Sequence, residues 1–331
     1  MEALLAAQLP DGKGWQFEPK WDGFRCLAKR EGDDVQLISK SGKPLGRYFP
    51  EMLEVLGGLK QNRFLLDGEL IISVGDVLSF DALQLRLHPA ESRVRKLAKE
   101  SPAELMLFDL LSLGGKDLSD EPLSERRAAL EKFHAAIKAP QLKLSPMTLD
   151  RKTAVGWLER SGGALDGVIA KRVDQSYKSG ERAMVKVKPE RTADCVVGGF
   201  RYAEKNDLVS SLLLGLYDEK GLLNHVGFTS AIPAKERQQL TQDLEALIEP
   251  PGFTGNAPGG PSRWRTARSG QWQPLKPTLV VEVKYDQVTA GRFRHGTSIV
   301  RWRPDKDPKQ CTYEQLKPEL RPSELREIFG S

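Results

Sequence analysis

The distribution of strand-like and helix-like segments changes at Lys188-Pro189, and this change constrains the fold more than any other feature of the sequence. Before it, short apolar runs alternate with helical stretches, which is the pattern of a mixed α/β or α+β domain. After it, five strand-like runs are interrupted by one clear helix at 234–248, which favours a small closed β-barrel. A chain of 331 residues has room for two such domains. We predict them at residues 1–190 and 191–331.

The individual elements are predicted from apolar runs and from turn and capping residues. In the first domain, strands are predicted at 24–29, 35–39, 64–73, 104–111, 167–172 and 184–188. Helices are predicted at 50–59, 80–87, 122–137 and 151–160, with Ser79 and Asp150 as the N-caps of the second and fourth. The turn Glu31-Gly32-Asp33-Asp34 predicts a hairpin, so part of the sheet should be antiparallel. In the second domain, the strands that suit a five-stranded barrel of the OB type lie at 195–200, 208–217, 222–228, 279–285 and 298–302.

Composition excludes several classes of protein. With 39% hydrophobic and 29% charged residues, the chain has the composition of a globular protein rather than a disordered one. No apolar run approaches the roughly 18 residues of a membrane span, and the amino terminus lacks the features of a secretory signal. A cytoplasmic location is therefore expected, with no membrane partner. The three cysteines and four histidines are scattered, which argues against a disulfide framework or a zinc site.

Basic residues are concentrated in one part of the second domain. The chain carries 50 Lys and Arg against 45 Asp and Glu, a formal net charge of +5. From Arg263 to Lys309 there are 11 basic and 4 acidic residues, interleaved with aromatic residues that include Trp264, Trp272, Phe293 and Trp302. This mixture is typical of a surface that binds a polyanion, although a solvated basic face has the same composition.

One short segment combines residue types that act together in phosphate chemistry. Lys20, Asp22, Gly23 and Arg25 lie within six positions at a predicted turn. A lysine amine that attacks phosphorus must be neutral, and an unperturbed lysine has a pKa of about 10.4. Neighbouring cations would disfavour its proton. Taken alone, the segment is also an ordinary Asp-Gly turn, so its interpretation depends on the motifs that follow it.

Five further motifs follow in a fixed order. They are Asp67-Gly68-Glu69, Phe108-Asp109, the run from Asp166 to Lys171, Lys186-Val187-Lys188, and the run from Arg301 to Lys306. With Lys20, they resemble the nucleotidyltransferase motifs of ATP-dependent DNA ligases, and the resemblance extends from about Trp15 to Tyr313. The sequence segments 45–51 and 293–295 are similar to segments of short bacterial repair ligases, which are related to the ligase module of end-joining proteins. The resemblance implies an α+β nucleotidyltransferase (adenylation) domain with mixed and antiparallel sheets, followed by an OB-fold β-barrel.

The resemblance also implies roles for the residues that would bind and transfer the nucleotide. Lys20 would become linked to AMP through a phosphoramidate while pyrophosphate leaves. Phe108 would stack on the adenine, and Glu18 would read the purine edge. Arg25, in the same nucleotide-binding segment as Asp22, would hold the ribose and later the nick phosphate.

The remaining basic motifs are assigned to phosphate groups. Three lysines would disfavour the proton on the nucleophile, if the fold brings them close, and would balance the triphosphate: Lys171, Lys186 and Lys188. Lys40 stands where the family has arginine. A lysine ammonium, which acts as a point charge, therefore replaces a guanidinium that could bind a phosphate through two donors. Four residues of the last motif would swing with the second domain to orient pyrophosphate and then turn away while DNA is gripped: Arg301, Arg303, Asp305 and Lys306. The loop at 250–261 is either a DNA-contacting insert or a solvated connector.

Two carboxylates are expected to hold Mg²⁺ or Mn²⁺, namely Glu69 and Asp166. The family's role for Glu69 is ribose contact or metal support. Asp166 stands where the wider superfamily usually has glutamate, and its carboxylate reaches about 1.5 Å less far. Its contact with the metal would then pass through a water molecule.

Together these features predict a monomeric, cytoplasmic and nucleoid-associated bacterial enzyme. It would use ATP to seal nicks in duplex DNA, in DNA repair, with unidentified repair or end-joining proteins as partners. Two alternatives stay open at this point. One is an RNA ligase or a capping-type guanylyltransferase, which uses the same lysine chemistry. The other is a non-catalytic OB-fold nucleic-acid-binding protein with vestigial motifs.

Overall fold

The computed structural model describes residues 1–75, 77–161, 165–204, 206–259 and 271–316. These residues fall into two compact units, of which the first is Met1–Pro189 and the second begins at Glu190. Among the described residues, no helix has the length and apolar character that crossing a membrane would require.

The first unit contains eleven strands and five α-helices among its described residues. Its strands are β1 (Ala3–Ala6), β2 (Trp15–Trp21), β3 (Phe24–Glu31), β4 (Asp34–Ser39), β5 (Arg63–Val74), β6 (Val77–Leu78), β7 (Ala103–Leu113), β8 (Lys116–Asp117), β9 (Leu142–Leu144), β10 (Leu165–Arg172) and β11 (Met184–Val187). Its helices are α1 (Pro50–Gly57), α2 (Phe80–Arg86), α3 (Glu91–Glu100), α4 (Leu123–Ala136) and α5 (Arg151–Glu159).

Two sheets form the framework of this unit. The larger has the strand order β4-β3-β5-β7-β8, with β6 added to β5 and β9 parallel to β7. The smaller has the order β1-β11-β10-β2, in which β1 and β11 are parallel and the other pairs are antiparallel. The main hydrophobic core includes residues of the larger sheet together with residues of α1 and α4. A mixed sheet arrangement of this kind is what the sequence pattern predicted.

Local sequence signals account for much of this framework. Strands β3 and β4 are joined by the predicted hairpin, in which Glu31 pairs with Asp34. The Ser79 hydroxyl accepts a hydrogen bond from the Ala82 amide at 3.1 Å, and so caps α2. The Asp150 carboxylate caps α5 by accepting from two backbone amides. Both predicted caps are confirmed, because a short polar side chain at each site satisfies amides that the first helical turn leaves free.

Several elements were not predicted from the sequence, among them two strands and one helix of the first unit. Strands β1 and β2 lie before the first predicted strand, and β1 exists through its pairing with β11 about 180 positions later in the chain. Helix α3 is highly charged, and its buried residues are only Val94 and Ala98. Phe108, expected near the end of a strand, lies in the middle of β7, because β7 continues to Leu113.

The second unit is a β-barrel with one α-helix among its described residues. Its elements are β12 (Arg191–Tyr202), β13 (Val209–Tyr217), β14 (Leu223–Thr229), α6 (Arg237–Glu245), β15 (Gln273–Pro274), β16 (Val280–Tyr285), β17 (Val288–Thr289), β18 (Arg292–Phe293) and β19 (Ser298–Trp302). Five strands follow one another in the order β14-β13-β12-β16-β19. The end of β14 contacts the residue before β19, because the Thr229 hydroxyl donates to the Thr297 carbonyl oxygen at 2.8 Å. The predicted barrel is thereby confirmed, whereas its helix begins at Arg237 because residues Ala234–Glu236 form a 3-10 turn.

Candidate active site

A cavity of about 260 Å³ in the first unit brings together eight of the candidate residues. Strand pairing explains why. Ile169 on β10 lies directly between Glu18 on β2 and Lys186 on β11, so these side chains share one face of the smaller sheet. Lys20 shares that face, two residues beyond Glu18. The candidate residues that line the cavity are Glu18, Lys20, Arg25, Lys40, Glu69, Phe108, Lys171 and Lys186.

Lys20 lies at the end of β2 and contacts a carboxylate. Its Nζ is 2.5 Å from Oδ2 of Asp166, and Nζ of Lys188 is 2.9 Å from the same oxygen. Burial raises the pKa of Asp166. The charges of Lys20 and Lys188 lower it by more than burial raises it, so the pKa lies below its ordinary value. Asp166 is therefore an anion that links the two lysines.

A glycine next to Asp166 makes this arrangement possible. Gly167 has a φ of +131°, and a Cβ there would collide with the carbonyl oxygen of Val187. Strands β10 and β11 can approach this closely only where no side chain intervenes. The pair Asp166-Gly167 thus places the carboxylate next to the point where β10 and β11 approach closely.

Lys186 adds a further positive charge to this end of the cavity. Its pKa is lowered by burial first and then by the charges of Lys20, Lys188 and Lys40. This mutual repulsion indicates that four lysines from three segments of the chain share one region of space. Such a cluster attracts a polyanionic ligand.

The other end of the cavity combines an aromatic ring with a buried ion pair. Lys171 Nζ is 2.7 Å from Glu18 Oε2, and both side chains are almost fully buried. The same ammonium lies 4.7 Å from the centre of the Phe108 ring. The nearest ionic partner of Lys171 is thus Glu18, so it sits beside the predicted purine-reading residue rather than among the phosphate-facing lysines.

Arg25 is held by residues to which the sequence analysis assigned no role. Its guanidinium donates to both carboxylate oxygens of Asp67, at 3.1 and 2.7 Å. The Tyr177 hydroxyl accepts from Arg25 at 3.2 Å and donates to Asp67 at 2.8 Å. The backbone carbonyl oxygen of Met1 accepts from Arg25 as well. These contacts orient a cation at the wall of the cavity.

A second buried carboxylate supports the first. Asp109 on β7 is the cross-strand neighbour of Asp67 on β5, and like charges at such positions repel. Arg126 of α4 relieves this repulsion by donating to both oxygens of Asp109, at 2.8 and 3.0 Å. A sequence signal for Arg126 was present, because it lies on the same helical stripe as Leu123, Leu130 and Phe133.

Glu69 is a carboxylate of the cavity wall whose pKa is raised. Burial raises its pKa to about 8, although Lys20 and Arg25 lower it, and the charges of Asp67 and Asp22 raise it. Gly23, which follows Asp22, brings the backbone so close to Leu70 that a Cβ would overlap the Leu70 carbonyl oxygen. Asp22 is thereby kept close to Glu69.

The residues present fit a hard divalent cation held by few protein ligands. Among the residues that the structure describes, no group of three or more His, Cys, Asp or Glu side chains could hold a metal ion. Asp166 and Glu69 are single carboxylates beside a cavity lined by lysines. Mg²⁺ accepts such a site, because it keeps several waters and takes one or two carboxylates together with phosphate oxygens.

A wider groove of about 1030 Å³ adjoins the cavity and shares four lining residues with it. Lys40, Lys43 and Arg47 supply its positive charge. Arg47 lies over the Tyr48 ring at 5.0 Å and donates to the carbonyl oxygen of Pro89. The groove therefore offers exposed cations along a path that leads to Lys20.

The last motif lies in the second unit and is an ion-pair network. Arg303 donates to both oxygens of Asp194, at 2.9 and 3.0 Å, and also contacts Asp305 at 2.8 Å. Hydrogen bonding to Arg303 lowers the pKa of Asp305 to about 2. Lys306 lies 3.6 Å from Asp194, and Arg301 lies 2.7 Å from Glu282. The first eight residues of the predicted basic stretch, 263–270, which include Arg263 and Trp264, lie outside the described residues, as do the last two residues of the 250–261 loop.

A lysine-lined cavity in a mixed-sheet domain, with a five-stranded barrel after it, defines a nucleotidyltransferase with an OB-fold domain. Comparison with known proteins identifies the family. The model of the ATP dependent DNA ligase domain matches residues 5–188, and that of the ATP dependent DNA ligase C terminal region matches residues 205–306. The chain belongs to the ATP-dependent DNA ligases.

Individual relatives agree with this assignment. DNA ligase C2 of Mycolicibacterium smegmatis is 44% identical over 325 residues, which cover 93% of this chain and 91% of that protein. The multifunctional non-homologous end joining DNA repair protein LigD of Mycobacterium tuberculosis is 29% identical over 317 residues, which cover 94% of this chain and 37% of that protein. A solved structure of a Lig E DNA ligase covers 92% of this chain and 100% of its own, with 18% identity and a TM-score of 0.55, and so shares the fold.

Three predictions are therefore confirmed. The chain has a nucleotidyltransferase domain followed by an OB-fold domain. It is an ATP-dependent DNA ligase, with ATP as its nucleotide. Its relatives include the ligase module of an end-joining protein. The alternatives of an RNA ligase, a capping enzyme and a non-catalytic binder receive no support from these comparisons.

Proposed function

We propose that this ligase seals nicks in duplex DNA through a covalent lysyl-AMP on Lys20. The observation that carries the proposal is the position of the Lys20 amine. It lies in one cavity with the aromatic ring of Phe108 and with the cation Lys186. In one bound ATP molecule, the nucleobase would lie at Phe108, the α-phosphate at Lys20 and the leaving pyrophosphate at Lys186.

In the first step, the lone pair of Lys20 Nζ forms a bond to the α-phosphorus of ATP. The bond from that phosphorus to the bridging oxygen breaks, pyrophosphate leaves with the electron pair, and the amine loses its protons to solvent. Lys186 and Lys188 balance the negative charge that gathers on the phosphate oxygens. Asp166 is a weak base because its pKa is held low, so its role is to orient Lys20.

In the second step, an oxygen of the DNA 5′-phosphate attacks the AMP phosphorus, and the bond to Lys20 breaks as the amine regains a proton. In the third step, the 3′-hydroxyl of the nick attacks the 5′-phosphorus, AMP leaves, and the strand is continuous. Arg25 is oriented for the ribose and then for the nick phosphate by its bidentate contact with Asp67. Arg301, Arg303, Asp305 and Lys306 act on the leaving pyrophosphate.

A bound Mg²⁺ or Mn²⁺ would neutralise part of the phosphate charge, and Asp166 and Glu69 are the residues that would hold it. Asp166 already carries a negative charge at neutral pH. Glu69, with a pKa of about 8, would lose its proton more readily when a cation binds next to it. Metal binding and proton release from Glu69 are therefore coupled.

The DNA partner follows from the charge of the adjoining groove. Lys40, Lys43 and Arg47 line the groove that leads to Lys20, and they suit the phosphates of the strand that ends in the 5′-phosphate. We propose a monomer that acts on nicked duplex DNA at the bacterial nucleoid, in DNA repair. The relationship to an end-joining DNA repair protein supports that role.

Replacement of the nucleophile tests the proposal. Lys20→Ala should form no covalent AMP adduct when incubated with radiolabelled ATP and Mg²⁺ and resolved by denaturing electrophoresis. It should still seal a nick that already carries 5′-AMP, because that step needs no lysine nucleophile. Lys29→Ala is the matched control, since Lys29 lies on β3 and pairs with Glu31 at 3.1 Å, away from the cavity. Equal labelling of Lys20→Ala and parent would contradict the proposal.

A further inference from the structure

Gln16 lies behind the cavity and contacts Glu18, which the proposed function assigns to the purine edge. Its side-chain amide donates to Glu18 Oε1 at 2.7 Å, while Lys171 donates to Glu18 Oε2 at 2.7 Å. Gln16 is 2% exposed and does not line the cavity. Each carboxylate oxygen is thus fixed by its own donor.

Strand geometry explains how these three side chains meet. Gln16 and Glu18 are two residues apart on β2, so both point to the same face of the sheet. Lys171 on β10 is the direct cross-strand partner of Gln16, and its long side chain reaches diagonally to Glu18. The Phe108 ring lies against the Lys171 ammonium and completes the group.

The two donors to Glu18 determine which group of a base its carboxylate can recognise. Both oxygens of Glu18 accept hydrogen bonds from these donors, so its carboxylate presents an acceptor to the base. Each oxygen keeps a free lone pair, and the amide of Gln16 prevents the carboxylate from rotating. A fixed acceptor binds the 6-amino group of adenine, whereas the 6-oxo group of guanine or hypoxanthine would face it with like partial charge.

We propose that Gln16 is a positioning residue that sets the selectivity of this ligase for 6-aminopurine over 6-oxopurine nucleotides. The inference rests on the proposed function, because it takes Glu18 to face the base. It assigns selectivity to a residue that does not touch the nucleotide and acts by holding the one that does.

The test compares nucleotide selectivity in Gln16→Met and parent. Methionine has nearly the shape of glutamine but cannot donate. The measurement is covalent nucleotidyl–enzyme formation at varied concentrations of ATP and of GTP, expressed as the ratio of the two second-order rate constants. We expect this ratio to fall about tenfold in Gln16→Met, as for the loss of one hydrogen bond to a charged group. The loss should appear in the concentration dependence for ATP, with the rate at saturation nearly unchanged.

Gln36→Met is the matched control, because Gln36 on β4 also donates to a carboxylate two residues away, Asp34, at 2.6 Å, but on the exposed surface. Its selectivity should equal that of the parent. Gln16→Val, with a side chain that favours strands, provides a second variant if Gln16→Met does not fold. A purely structural role for Gln16 would slow ATP and GTP equally and leave the ratio unchanged, which overturns the inference. A parent that forms no adduct with ATP would instead refute the proposed function.

Discussion

Asp166 and Glu69 show how two carboxylates in one site acquire different properties. The Asp166 carboxylate has two lysine partners, so the charged form is favoured in spite of burial. Glu69 is dominated by burial, with further contributions from Asp67 and Asp22, so the protonated form persists to about pH 8. One of the two metal candidates is thus an anion in the resting enzyme, and the other becomes one as protons are removed.

Glu69 should leave a measurable mark on the pH dependence of stability. Its pKa is raised on folding to about 8, so between its unfolded and folded pKa values the folded state binds more protons than the unfolded state. The contribution of Glu69 to the free energy of unfolding is therefore complete at low pH and is lost as the pH rises through about 8. Glu69→Gln should unfold with a shallower decline in stability between pH 5 and pH 8 than the parent, measured by urea denaturation.

Glu104→Gln serves as the control for that measurement. Glu104 lies on β7 of the same sheet and contacts Lys143 at 3.6 Å on the surface. Its variant should follow the parent's pH profile. Superimposable profiles for Glu69→Gln and the parent would show that Glu69 does not bind a proton on folding.

Residues that the sequence pattern did not select share one physical property. Gln16, Tyr177 and Arg126 all act through hydrogen bonds to a motif residue that is distant in sequence or hidden in the core. Motif spacing identifies side chains that face the cavity, because the chemistry needs those residue types. It does not identify the donors behind them, since these are fixed by strand pairing and helix packing.

At the scale of elements, the site depends on the contact of α4 with β7. Arg126 is 0% exposed and Asp109 is 1% exposed, so the ion pair between them has no access to water. Removing one partner of a buried pair leaves an uncompensated charge. Here that charge would be next to Asp67, the residue that orients Arg25. We therefore expect the loss of Arg126 to disturb the position of Arg25 at the cavity, through Asp109 and Asp67 on adjacent strands.

Arg126→Met should lower the free energy of unfolding by about 3–5 kcal/mol, as expected for a broken buried ion pair. Adding Asp109→Leu should restore a large part of the loss, because no charge is then left without a partner. Urea denaturation of the full chain, followed by circular dichroism, measures both. Arg95→Met is the control, since Arg95 pairs with Glu91 on the exposed face of α3 and such pairs contribute about 0.5 kcal/mol or less. Equal losses at Arg126 and Arg95 would contradict this account.

Element boundaries were predictable where local signals decide them. Helices α2 and α5 begin at capped positions, and the β3–β4 hairpin has its turn residues in sequence. Strand β1 has no such signal, because two of its four residues are exposed and its pairing with β11 is long-range. Its neighbour Glu2 nevertheless lines the cavity and contacts Lys40 at 3.4 Å. Part of the cavity wall thus comes from a segment whose structure only the complete fold determines.

For the whole molecule, the two units differ in the functional residues that they contain. The first unit holds the cavity, the lysine cluster and the basic groove. The second unit holds the barrel and the Arg303 ion-pair network, whose residues are assigned to pyrophosphate. Family membership extends over both units, since one family model matches each. In the proposed mechanism, the covalent transfer of AMP nevertheless depends on one amine in the first unit, that of Lys20.

The most direct test of that dependence is peptide mapping of the purified enzyme after incubation with ATP and a divalent cation. Mass spectrometry should find one AMP adduct, on the peptide that contains Lys20, and pyrophosphate should remove it. An adduct on Lys186, Lys188 or another residue, or no adduct at all, would contradict the account.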